Sequence, residues 1–110
     1  MITMGEAREL ALSLPEALEQ DHHGMPSFRV RGKIFATQPD GDHLRIMVDE
    51  GDILAAVAEN PATCEEFWWG ARLACVVVDR RFCAPDLVVE LITDAWRRKA
   101  PRRLLDDSHA

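Results

Sequence analysis

Long apolar runs, basic charge, cysteine and serine are all scarce in this chain of 110 residues. The longest fully apolar stretches are six residues, Leu73 to Val78 and Ile53 to Ala58. A membrane-spanning helix needs about 20 such residues, so none is expected. The N-terminal Met-Ile-Thr-Met-Gly-Glu has no basic cluster followed by an apolar segment, and no secretory signal is expected. Cys64, Cys75 and Cys83 make an odd number without an export signal, so reduced thiols in a cytoplasmic protein are expected. They lie in or beside apolar runs and read as small core residues. No Cys-x-x-Cys or His-x-x-x-His spacing exists, and the cysteines are 11 and 8 residues apart. His22 and His23 are adjacent, and neighbours on an extended chain point to opposite sides, a poor chelate. There are three serines, none in a Gly-x-Ser-x-Gly elbow, and no phosphate-binding glycine loop. Asp79 and Asp86 are not brought together by spacing alone. Neither a catalytic residue nor a cofactor is expected. Basic groups number 13 against 19 acids, a formal net charge of −6, which disfavours non-specific attraction to nucleic acid or anionic membrane. Five of the 13 fall in one run, residues 97 to 103, RRKAPRR.

What the chain does have is enough apolar content, 47%, for one folded domain over residues 1–104, with 105–110 as a frayed tail. The first helix starts at Thr3, where Thr3 and Glu6 match a capping box, and presents Ala7, Leu10, Ala11 and Leu14 on one face until Pro15 stops it. Residues 27 to 48 read as a three-stranded meander. A two-residue turn at Arg31-Gly32 sets Val30 against Lys33 and Phe28 against Phe35. A second at Asp40-Gly41 sets Thr37 against Leu44, Phe35 against Ile46 and Lys33 against Val48. Both turns put Phe28, Val30, Phe35, Leu44, Ile46 and Val48 on one face. The other face then carries Arg29, Ile34, Ala36, His43, Arg45 and Met47. Asp49 caps a second helix with Ile53, Leu54, Val57 and Ala58 as its stripe, ended at Asn60-Pro61. Residues 64 to 78 read as a second hairpin turning at Gly70. A last helix starts at Pro85-Asp86 and buries Leu87, Val88, Leu91, Ile92, Ala95 and Trp96. The expected class is α+β, an antiparallel sheet with packed helices in the order α-β-β-β-α-β-β-α.

This order, and three segments within it, resemble the MmcQ/YjbR family of small bacterial domains. The segments are Leu14-Pro15, the stretch from His23-Gly24-Met25-Pro26 through Lys33-Ile34-Phe35-Ala36-Thr37, and Ala95-Trp96-Arg97 with Ala100-Pro101-Arg102-Arg103-Leu104. The resemblance spans about Thr3 to Leu104. It implies a CyaY-like fold, no established enzymatic activity, and DNA binding by a double wing whose hairpins flank a duplex. Wing residues would be Arg29, Arg31 and Lys33 on the first hairpin and Arg72 on the second, with Arg80 and Arg81 following.

The first functional expectation is therefore a non-catalytic DNA-binding module using Arg29, Arg31, Lys33, Arg45 and Arg72. The same cations also suit the solvated outer face of a half-buried sheet. The second expectation is a protein- or small-ligand-binding module using the outward face around Ile34 and Met47. A weaker one is frataxin-like metal binding, for which the first helix offers only Glu6 and Glu9, then Glu16, Glu19 and Asp21. The RRKAPRR run suits phosphate binding or simple stabilisation of a helix end. Trp96 reads as core. Of Trp68 and Trp69 one is expected to be exposed, beside Arg72. Asp40, Asp42 and Glu50 are the acids nearest in sequence that would neutralise the hairpin cations.

Overall fold

Thr3 opens helix α1 (Met4–Ser13) as its capping box requires: its hydroxyl accepts from the Glu6 N–H at 3.0 Å, and the Glu6 carboxylate accepts from the Thr3 N–H at 3.1 Å. The structure, a computed structural model, describes residues 1–108. Beyond α1 lies a strand absent from the sequence expectation, β1 (Ala17–His22), paired along its length with β2 (Met25–Val30). It is an edge strand with most of its side chains in solvent, so it lacks the alternation that marks a strand. His23 and Gly24 make the turn with φ of 53° and 86°.

Arg31 and Gly32, both at positive φ, form the expected tight turn into β3 (Lys33–Thr37), and Val30 faces Lys33. Two residues further the expected register fails. A bulge sets Phe28 against Ala36 instead of Phe35. The next connection also departs from expectation. The Asp40 carboxylate accepts from the N–H groups of Asp42 at 2.8 Å and His43 at 2.9 Å, widening the loop. Strand β4 (His43–Ile46) therefore pairs Thr37 with Arg45 and Ala36 with Ile46. The shifted loop register and the bulge offset each other. Phe28, Val30, Phe35, Leu44, Ile46 and Val48 are all buried together as expected. Ala36, expected on the outer face, is carried inward by the bulge and is buried with them.

Asp49 caps α2 (Glu50–Glu59), its carboxylate accepting from the Asp52 N–H at 2.8 Å. Its buried positions are Ile53 and Ala56; Leu54 and Ala58, expected in the stripe, face solvent. The hairpin of β5 (Cys64–Trp69) and β6 (Arg72–Asp79) turns at Gly70 as expected. Helix α3 (Pro85–Lys99) buries Val88, Leu91, Ile92, Ala95 and Trp96, and the Trp96 indole donates to the Pro15 carbonyl at 3.0 Å. A short α4 (Arg102–Ser108) occupies most of the segment expected to fray; residues 109–110 lie outside the described part.

The expected succession thus stands, extended by β1 and α4, in one six-stranded antiparallel sheet ordered β1-β2-β3-β4-β6-β5. One face carries the core, built with α1, α2 and α3. The other face is open. All three cysteines are free and buried, but Cys75 sits beneath the open face, apart from the main core. Among the described residues, no helix is long and apolar enough to cross a membrane.

The pairing also fixes which ends coincide. The 31–32 and 70–71 reversals lie at the same end of the sheet, because β3 and β6 both run away from that end and β4 runs toward it. Strand β4 stops at Ile46, whereas Lys33–Ile34 on β3 and Arg72–Ala74 on β6 continue past it. Phe35→Ala should lower stability by about 3–5 kcal/mol, whereas Leu54→Ala on the solvent side of α2 should change it by less than about 0.5 kcal/mol. Denaturant unfolding of the two variants measures both.

Candidate functional site

The open face is a groove of about 650 Å³ to which all six strands contribute. Its floor is apolar: Met25, Ile34, Met47 and Ala74, with Phe67 and Trp69 along the β5 side. Five cations line it, namely Arg29 from β2, Lys33 from β3, Arg45 from β4, Arg72 from β6 and Lys99 from the last turn of α3. His22 and His23 close the β1 side, their rings 4.5 Å apart and tilted by 60°. No carboxylate lies among the lining residues. Among the described residues, none of the five cations has a carboxylate within ion-pair distance.

Each cation is placed by something other than an acid. Arg29 donates to the Ser27 hydroxyl at 3.1 Å and lies 3.4 Å from the His22 Nδ1. The Arg45 guanidinium stands over the Phe67 ring at 4.5 Å, a cation–π contact. Lys99 is half-buried, and its ammonium pKa is lowered, first by burial and then by repulsion from Arg98, Arg72 and Lys33. The Cys75 thiol is pushed up to about 11 by burial, which outweighs the opposite pull of Arg45 and Arg72. Thr37, 3% exposed, lines the groove as well. Its Oγ1 is the one buried side-chain polar atom without a hydrogen-bond partner among the described residues.

Of the five cations expected from sequence, four meet in this groove: Arg29, Lys33, Arg45 and Arg72. Arg31 does not. It forms a two-pronged pair with Glu16, at 2.6 and 3.0 Å, away from the groove. Arg80 and Arg81 are likewise engaged elsewhere, Arg80 on the Gly41 and Ile2 carbonyls and Arg81 on Asp79. Asp40 pairs with His43, and Asp42 with Arg80 and Arg81, so neither reaches the groove cations. Both Trp68 and Trp69 are exposed, because β5 is an edge strand, and Trp69 stands opposite Arg72. The same sheet face turns acidic at its far end, where Glu65 and Asp79 flank His43.

A family model described as YjbR matches residues 12–98. The chain belongs to the YjbR family. A solved relative in fold is the Deinococcus radiodurans protein DR2400, whose crystal structure is described with a DUF419 domain. The likeness has a TM-score of 0.75 at 20% identity, covering 87% of this chain and 77% of that one. No curated protein matches. The sequence resemblance to MmcQ/YjbR is thereby upheld, as is the α+β class.

In this YjbR domain the frataxin-like alternative gains no support from geometry: among the described residues no group of three or more His, Cys, Asp or Glu is placed to hold a metal ion. Sequence reasoning missed three contributors to the groove. Lys99 was hidden within a run that reads as helix-end chemistry, of which Arg97 pairs with Asp94 and Arg98 donates to the Met47 and Val48 carbonyls at 3.1 Å. His22 belongs to the strand that lacked a pattern. Thr37 looks like any strand threonine until its unpaired hydroxyl is located.

Two outcomes follow from these electrostatics. Lys99→Gln should raise the melting temperature at low salt, with the gain shrinking as salt rises, because it removes one of several mutually repelling cations. Asp79 has its carboxyl held below the ordinary range, chiefly by the Arg81 hydrogen bond. A folded-state pKa below the unfolded one gives stability that is present above about pH 4 and lost as pH falls through the folded value. Thermal melts from pH 7 to pH 2 should therefore show a shallower acid limb for Asp79→Asn than for the parent.

Proposed function

We propose that this domain is a binding module that takes up an anionic ligand on the open sheet face around Ile34 and Met47. The observation that carries this reading is the groove's composition: five cations and no acid, in a chain whose net charge is −6. Left unoccupied by counter-charge, such a cluster costs stability, which is the mark of a surface shaped for a partner. The apolar floor and the ring of Trp69 favour a ligand with an apolar or aromatic body. The unpaired Thr37 hydroxyl gives it a buried polar partner. The volume suits a small molecule or one end of a larger one. Catalysis forms no part of this reading.

Duplex DNA is the second reading, and one observation favours it: both hairpin tips lie at one end of the sheet, with Lys33 and Arg72 at their bases. Against it, Arg31, the cation at the first tip, is engaged by Glu16. The two readings separate on salt. A duplex held by Arg29, Lys33, Arg45 and Arg72 should lose affinity with a log–log slope of about −3.6. The anionic aromatic dye anilinonaphthalene sulfonate should bind the native domain in the groove with a much weaker slope, and Arg29→Gln with Arg45→Gln should cut its affinity about tenfold. Fluorescence titration of the dye and anisotropy of a labelled duplex, each at several salt concentrations, make the comparison. Dye affinity untouched by both arginine changes would refute the groove reading.

A further inference from the structure

At the end of the sheet where both hairpins turn, the β4 ladder ends at Ile46, and the chain continues beside β3 only through the Met47 N–H, which donates to the Phe35 carbonyl at 3.0 Å. Lys33 opens β3 and Arg72 opens β6 at this corner of the groove. Lys99, in the last turn of α3, lines the same groove as these two. All three belong to the groove lining, and among the described residues none has a carboxylate or a hydrogen-bonding side chain as partner. Lys99 is the informative member. A lysine in the last turn of a helix ordinarily lies in solvent, where it favours the dipole of that end. This one is half-buried and lines the groove, while its neighbours Arg97 and Arg98 are engaged by Asp94 and the Met47 carbonyl.

A ligand group that fits three converging cations, with an arginine among them, carries two or more negative charges on tetrahedral oxygens. Carboxylate would leave one cation uncompensated. Next to this corner stands Trp69, paired across the hairpin with Arg72 and 74% exposed. Its ring, with Phe67 centred 6.5 Å away, forms an aromatic shelf along the groove. Flat heteroaromatic rings stack on such shelves with little regard to sequence or substituent.

We propose that this corner of the groove is a phosphate subsite: Lys33, Arg72 and Lys99 hold the terminal phosphate of a nucleotide whose base rests on Trp69. This rests on the reading of the open face as an anion-binding groove and adds which end of the ligand goes where. The phosphate belongs either to a free nucleotide or to the 5′ end of a nucleic-acid strand, which share this chemistry.

The test is calorimetric titration of the native domain with thymidine 5′-monophosphate, thymidine and inorganic phosphate, together with 5′-phosphorylated and unphosphorylated pentathymidylate. The monophosphate should bind at least tenfold more tightly than thymidine. Arg72→Gln and Lys99→Gln should each remove about tenfold of that advantage and leave thymidine unaffected. Trp69→Ala should weaken the monophosphate and thymidine alike and spare inorganic phosphate. Circular dichroism of each variant confirms the fold. A pentamer that binds more tightly than the monophosphate, with the same dependence on Arg72 and Lys99, supports the subsite and assigns it to a strand end; a pentamer that binds no better supports it and assigns it to the free nucleotide. Equal affinity for monophosphate and thymidine would overturn the proposal. So would a phosphate advantage that survives Arg72→Gln and Lys99→Gln but disappears with Arg29→Gln, which places the phosphate deeper and leaves the groove reading intact. Dye binding with no response to any thymidine compound also overturns the subsite alone.

Discussion

The arrangement depends on one extra residue in β3. The bulge at Phe35 and Ala36 lets both of these side chains face the core opposite Phe28, and it restores the alternation that the following loop would have inverted. Without it, Arg45 and Leu44 would exchange sides. A guanidinium would then be driven into an apolar interior, at a desolvation cost that no partner there could offset. The bulge therefore decides both what is buried and which charges share the open face. A second register shift, between Phe67 and Trp68, does the same for β6, sending Ala74 and Cys75 to the groove and Leu73 and Val76 to the core.

Charge is partitioned along that open face. Every arginine near an acid is tied to it: Arg8 to Glu19, Arg31 to Glu16, Arg80 and Arg81 to Asp42, Arg97 to Asp94. The five groove cations are among those with no such acid in the described residues. They are separated by strand spacing and screened from acids by an apolar floor, so their fields add in a region of lowered dielectric. An overall acidic chain can in this way hold a local positive field that its net charge does not reveal.

Much of the fold was legible because hydrophobic period and caps agree at each element. Thr3, Asp49 and Pro85 marked the helix starts, and Gly32 and Gly70 the reversals. The inward set of the meander was correct although its pairings beyond Val30 and Lys33 were not, since burial depends on side and is insensitive to a shift that a bulge undoes. Strand β1 was not legible: an edge strand with both sides wet has no pattern to read, and its pairing with β2 is decided by backbone hydrogen bonds that any sequence can make. The hairpin reading named five candidate cations, and four of them line the groove. Arg31 does not, because its partner, Glu16, sits fifteen residues earlier in what read as a loop. Lys99 and Thr37 escaped it because their significance lies in missing partners, and a sequence does not display those.

The sheet has two free margins, and both are acidic. Glu19 and Asp21 stand on β1, and Glu65 and Glu66 on β5. Two copies meeting margin to margin would press carboxylates against carboxylates while desolvating them, which discourages the ladder from continuing into a neighbour. Backbone pairing between copies is thus disfavoured where it would be easiest, which leaves the side chains of the open face as the surface for the recognition proposed above.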